Sequence, residues 1–289
     1  MAKVRTAWLW TLAFVFVSSA SPAWPAQAAS MAGEVVSDFK YLINNALLDG
    51  EDIATAPLYA ASPDSPLRSP KFYLVLAGAG AIWGGSYALD QTMRSHLRSM
   101  SSSDADLLQD ASYGGVSAGT ALLYGYGLWY DDAHARHYAL TAGMASGIAT
   151  LVDIGVKAAF GRLRPGQNGH DVDAFFHGGQ SFVSGDVTPM FALAAGVSEY
   201  FHNEWYVAAP VYSLALLDGF GRMGHDAHWF SDVVGAALLG VGTTELFIWL
   251  HNRHEEEPGR WRIFSMSEES PALAAKPFSS VGVGLAYNW

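Results

Sequence analysis

Residues 138–165 read YALTAGMASGIATLVDIGVKAAFGRLRP. Apolar and small residues dominate as far as Phe160, and they do not alternate, so the stretch is read as a helix rather than a strand. Two charges interrupt it. Asp153 and Lys157 stand one helical turn apart, where a carboxylate and an ammonium on one face pair with each other. The stretch ends on Arg164-Pro165, which reads as a helix stop.

Working outward, five further apolar segments lie near 72–89, 113–130, 187–201, 205–218 and 232–250. Small residues pervade them, as in Ala77-Gly78-Ala79-Gly80-Ala81, and allow helices to approach closely. The reading is an all-α bundle of about six core helices with a site at the helix ends. Residues 34–48 read as a short amphipathic helix. Residues 50–70, with four prolines, read as loop, and the Ser- and Asp-rich stretch 99–107 as an exposed connection. Residues 280–289 alternate (Val281, Val283, Leu285, Tyr287, Trp289) and predict a short C-terminal extended segment on an edge or packed against the bundle. The domain division is 1–28 targeting segment, 29–70 N-terminal helix and loop, 71–255 helical domain and 256–289 tail.

Composition bounds the function. Hydrophobic residues are 51% and charged residues only 15% of 289, which places the chain between a compact helical protein and a multi-span membrane protein. The net charge of -11 argues against a nucleic-acid partner, because phosphate backbones need a basic surface. With no cysteine, disulfides and thiolate chemistry are excluded. Lys3 and Arg5, the apolar run Trp8–Val17 and Ala26-Gln27-Ala28 have the order of a cleaved signal peptide. An uncleaved anchor is the alternative. Segments 187–201 and 205–218 are short of the roughly 20 residues a span needs. An exported N-terminus followed by three spans would also turn the charged clusters toward the cytoplasm. Both points favour an exported periplasmic domain, with a multi-pass inner-membrane protein as the alternative.

Three clusters carry chemistry. They are Lys157-x6-Arg164-Pro165, Ser184-Gly185-Asp186, and Arg222-x5-His228-x3-Asp232. The chain has only 16 Lys and Arg, so three cations at the ends of apolar segments need a reason. Arginine forks and a lysine point charge suit phosphate oxygens. Ser184-Gly185 at a helix start adds N–H groups to the same anion. Four residues separate His228 from Asp232, so the carboxylate can hold one ring nitrogen and leave the other free to attack. Taken singly each piece has an ordinary structural reading; their order at successive helix ends favours the joint one. No metal-ligand spacing is present, and no cofactor is expected.

The stretches KAAFGRLRP (157–165), VSGD (183–186) and GRMGHDAHWFSD (221–232) resemble the type-2 phosphatidic acid phosphatase and vanadium haloperoxidase superfamily, which includes bacterial class A acid phosphatases. Its pattern is K-x6-R-P, P-S-G-H and S-R-x5-H-x3-D. The resemblance implies that Lys157, Arg164 and Arg222 bind phosphoryl oxygens, with Ser184 and Gly185 completing the cradle. It makes His228 the nucleophile that forms a phosphohistidine and Asp232 its orienting carboxylate. Three positions depart: Gly221 for Ser, Val183 for Pro, and Asp186 for the histidine that acts as general acid. Three outcomes stay open. Asp186 serves as the acid at lower pH, His177 or His225 substitutes for it, or the site binds phosphate and turns over poorly. The expected function is a metal-free phosphomonoesterase of the bacterial envelope acting on a lipid phosphate or small phosphate ester, with membrane association open. The rivals are a degenerate phosphate-binding homologue and, less favoured without the histidine, a vanadate-dependent haloperoxidase.

Overall fold

A computed structural model of the chain describes residues 31–46, 48–49, 68–167, 174–256, 261–265 and 283–287. The chain forms two compact units, Met1–Lys40 and Tyr41–Trp289. The targeting segment, the loop at 50–67 and most of the tail lie outside the described residues. Residues 31–46 form helix α1, close to the expected 34–48.

The bundle follows the apolar segments: α2 (Pro70–Ala88), α3 (Asp90–Leu97), α4 (Ser102–Tyr130), α5 (Ala133–Phe160), α6 (Val187–Tyr200), α7 (Trp205–Gly224) and α8 (Phe230–Glu256). Local chemistry sets several boundaries. Ser69 caps α2, with its hydroxyl accepting from Phe72 N–H at 3.2 Å and Pro70 in the first turn. The stretch 99–107 is corrected: it is not all connection, because Ser101 accepts from Asp104 N–H at 3.2 Å and starts α4 there. Asp132 caps α5 in the same way through Ala135 N–H, at 3.1 Å. That helix ends at Gly161, in the left-handed conformation with φ 49°, before Arg164-Pro165 is reached. α7 runs on to Gly224, six residues past the apolar segment, so Asp218 and Arg222 both stand on helix.

α6 lies at the centre. Ten of its residues, from Val187 to Ser198, are buried, and it packs on α4, α5, α7 and α8. Val116, Leu123, Met190, Phe191, Val211 and Val233 share one core. The other long helices keep apolar outer faces: Leu74 on α2, Leu122 on α4 and Leu151 on α5 are exposed. Two helical stretches, Ala133–Phe160 and Phe230–Leu250, are long and apolar enough to cross a membrane, or three if α2 and α3, bent by 53°, count as one span. In the tail, β1 (Trp261–Ser265) and β2 (Val283–Tyr287) pair antiparallel, with Trp261 opposite Tyr287. β2 falls within the predicted strand.

Candidate active site

The C-termini of α5 and α7 and the N-termini of α6 and α8 meet at one end of the bundle. Two loop strands are zipped together there. Phe176 N–H donates to Phe160 O, Gly179 N–H to Gly161 O and Ser181 N–H to Arg162 O, at 2.7, 2.9 and 3.0 Å. This ladder fixes Arg162 and Ser181, from which the floor of the site is built.

Asp232, in the first turn of α8, is fully buried. It accepts from Arg162 at 2.5 Å, from the Ser181 hydroxyl at 2.5 Å and from Trp229 N–H at 2.9 Å. Arg162 is equally buried and reaches Asp90 at 2.6 Å with its other terminal nitrogen. Asp90 in turn accepts from Ser231 N–H and hydroxyl, both at 2.7 Å. The guanidinium lies 4.8 Å from the Phe175 ring centroid and 5.5 Å from that of Trp229. A cation between two carboxylates and three hydrogen-bonding neighbours is the condition under which buried charge is tolerated.

His228 rests on this floor, 3% exposed. Its Nδ1 donates to the Ser181 carbonyl at 2.8 Å. Asp232 is 3.7 Å from the same nitrogen, an electrostatic neighbour rather than a hydrogen-bond partner. The carboxylate stands beside the ring as expected, and Ser181 is interposed in the hydrogen bonding. Ser181 holds the ring, donating its hydroxyl to Asp232 and accepting from His228 with its carbonyl. The outcome for the ring is the same: Nδ1 carries the proton and Nε2 keeps its lone pair. Burial holds the imidazole below its usual range, opposed by Asp232 and helped by Arg222 and Arg164.

Arg164 and Arg222 both act on His228 electrostatically. Lys157 pairs with Asp153, as the spacing predicts. It lies directly under Gly185, where a Cβ would come 2.5 Å from Nζ. Ser184 N–H donates to the Asp232 backbone carbonyl at 3.2 Å, and the buried Ser184 hydroxyl has no hydrogen-bond partner among the described residues. A buried hydroxyl left over next to the residue that covers Lys157 suits a bound anion's oxygen. Among the described residues no three His, Asp or Glu gather as metal ligands.

The rim differs. Asp186, N-terminal to α6, lies 3.1 Å from Arg222 Nε and accepts from the Tyr113 hydroxyl. Burial, reinforced by the Asp218 and Asp186 carboxylates, pushes the Tyr113 hydroxyl above its usual range, so it remains a donor. Of the two histidines weighed as substitutes, His225 is engaged with Asp106 at 2.9 Å and His177 with the Phe175 carbonyl at 2.7 Å. Reading the sequence missed Arg162, Asp90, Ser181, Ser231 and Tyr113. Arg162 had a visible signal, a further cation two residues before Arg164. Asp90 had a weaker one, a lone carboxylate closing an apolar segment.

Residues 135–256 match the family model described as the PAP2 superfamily. A curated relative, the lipid A 1-phosphatase of Porphyromonas gingivalis, is 32% identical over 108 residues, covering 35% of this chain and 21% of the relative. The chain thus matches about a fifth of that relative's length. No solved structure matches the chain. The matched span contains all three motif clusters, from Lys157 to Asp232, and over it the chain is similar to the PAP2 superfamily.

Proposed function

We propose that the chain hydrolyses phosphomonoesters through a phosphohistidine at His228. One observation carries the reading: a buried neutral imidazole whose Nδ1–H is spent on the Ser181 carbonyl, so that Nε2 is left free as a nucleophile in the field of Arg222 and Arg164. In the first step Nε2 forms a bond to phosphorus and the bond to the leaving oxygen breaks. Lys157, Arg164, Arg222 and the Ser184 hydroxyl hold the three phosphoryl oxygens, and the leaving oxygen takes a proton from Asp186. In the second step water attacks phosphorus, its proton goes to the Asp186 carboxylate, and the P–N bond breaks to release phosphate.

A lipid phosphate is the substrate class best supported. Apolar outer faces on α2, α4 and α5 support a site that works beside a bilayer. Trp83, Tyr87, Phe160, Phe175 and Phe182 form an aromatic wall next to Arg162. The curated relative is named for a lipid substrate. The setting we infer is the bacterial envelope. Carbonate extraction distinguishes its two forms, since an integral protein stays in the membrane pellet and an exported peripheral one is released.

The test is phosphate release from para-nitrophenyl phosphate and from a lipid phosphate in mixed micelles, with a search for an acid-labile, base-stable phosphoenzyme. His228→Asn is expected to lower kcat by about 10³-fold or more and abolish the phosphoenzyme, the size of effect seen when a nucleophile is removed. A variant that keeps its turnover would overturn the assignment. A second reading, phosphate binding with poor turnover, is favoured by the contact of Asp186 with Arg222, which puts a carboxylate on a phosphate-binding cation. Phosphate binding without release from either ester would decide for it.

A further inference from the structure

Two departures from the superfamily pattern, Gly221 and Asp186, fall at one place, where α4 and α7 pack together. Gln109 and Tyr113 stand one turn apart on α4; Asp218 and Arg222 stand one turn apart on α7. Gly221 brings the helices together. A Cβ there would meet Gln109 Cγ at 2.5 Å and the Ala105 carbonyl at 2.7 Å. Gln109 fills the space and donates to Asp218 Oδ1 at 3.2 Å. Asp218 is fully buried, and its Oδ2 has no hydrogen-bond partner among the described residues. A carboxylate in that setting is costly and a neutral carboxyl is not. Burial accordingly pushes Asp218 up to about 6, with Asp186 adding to the rise and Gln109 and Arg222 opposing it. The groups facing it are Gln109 and Tyr113 from α4, Arg222 on its own helix and Asp186 from the start of α6.

We propose that Asp218 and Asp186 act as a carboxyl pair in place of the motif histidine, Asp186 meeting the leaving oxygen and Asp218 holding a proton in reserve behind it. The proposal rests on the phosphatase reading above. As the bond from His228 Nε2 to phosphorus forms, the electron pair of the breaking P–O bond stays on the leaving oxygen. That oxygen takes the Asp186 proton. When water later attacks phosphorus, its proton returns to the Asp186 carboxylate, and Asp218 reprotonates Asp186 only when that proton has been lost to solvent. Asp218 touches no substrate atom; it is a positioning residue acting through Asp186.

The test is the pH dependence of kcat for para-nitrophenyl phosphate in the full-length wild type, Asp218→Asn and Gln109→Ala. In wild type kcat falls as pH rises through the Asp218 titration. Asp218→Asn loses that limb and at least about ten-fold in kcat, a modest share of what a general acid contributes, while inhibition by inorganic phosphate is unchanged. Gln109→Ala removes a donor that favours the carboxylate, so its limb moves to higher pH. If Asp218→Asn does not fold, the Gln109→Ala shift carries the test. A limb unmoved in either folded variant overturns the pair while leaving the phosphatase standing. No turnover in wild type at any pH overturns the phosphatase reading and the pair together.

Discussion

Asp232 and Asp186 are two carboxylates of one site with opposite surroundings. Asp232 is shut away from solvent and accepts from an arginine, a serine and a backbone N–H. Asp186 has a side chain 42% exposed, with Arg222 and Tyr113 as its neighbours. Under the proposed mechanism, the difference follows from what each is asked to do. A carboxylate that must stay charged while His228 gains a phosphoryl group needs every lone pair fixed, since any reorganisation would raise the barrier. A carboxyl that must give and take a proton needs both states within reach, and saturation by donors would lock it as the anion. The floor is saturated with hydrogen bonds, and two of the three departures from the superfamily pattern, Gly221 and Asp186, lie at the rim, while the third, Val183, is buried.

The largest effect is expected from breaking the floor. Arg162→Met keeps most of the side-chain volume but leaves Asp90 and Asp232 buried without their shared cation. Removing one partner of a buried ion network costs about 3–5 kcal/mol, and here two carboxylates lose it. Denaturant unfolding in detergent should show that loss, together with collapse of turnover. A variant as stable as wild type would show that the two carboxylates hold protons instead, and the contrast between floor and rim would fall.

Much of this floor was hidden in the sequence for a physical reason. The helices were legible because each buries an apolar face, and a run such as 138–160 states that face residue by residue. α3 was not, since Asp90–Leu97 is mostly polar and is held by contacts such as Arg94 with Asp226 at 2.6 Å. The eight motif positions were legible as spacings. A spacing does not say which of two arginines two residues apart turns inward; Arg162 does so because the Gly161 turn and the loop ladder aim it there. Its partner Asp90 lies 72 residues away, a contact no local pattern encodes. Gly221 read as a lost hydroxyl. Only the packed helices reveal it as room for Gln109.

That room gives the next test. In Gly221→Ser the new Cβ collides with Gln109, which can swing away, and with the Ala105 carbonyl, which cannot without moving α4. Overpacking of this kind costs about 1–3 kcal/mol. The expected result is a lower melting temperature and, with Gln109 displaced, a kcat limb shifted to higher pH. Higher turnover at unchanged stability would mean that the serine hydroxyl is what the rim lacks, and would make the close approach incidental.

Tyr113→Phe should have the smallest effect, and it sharpens the comparison most directly. The substitution deletes one oxygen and with it the donor to Asp186, leaving Arg222 in place. At a half-exposed carboxylate water can take the vacated site, so the loss is that of one exchanged hydrogen bond, about 0.5–1 kcal/mol, or a two- to five-fold change in kcat/KM. Ser181→Ala deletes one donor from Asp232 in the same way, but no water reaches that oxygen. The unmet carboxylate then carries its full desolvation penalty, about 1–3 kcal/mol. The two single-oxygen deletions, measured side by side, should therefore differ in size and in kind: the rim variant in kinetics with little change in melting, the floor variant in both. Equal losses would mean that Asp186 is as tightly held as Asp232, and a proton donor held that tightly could not work.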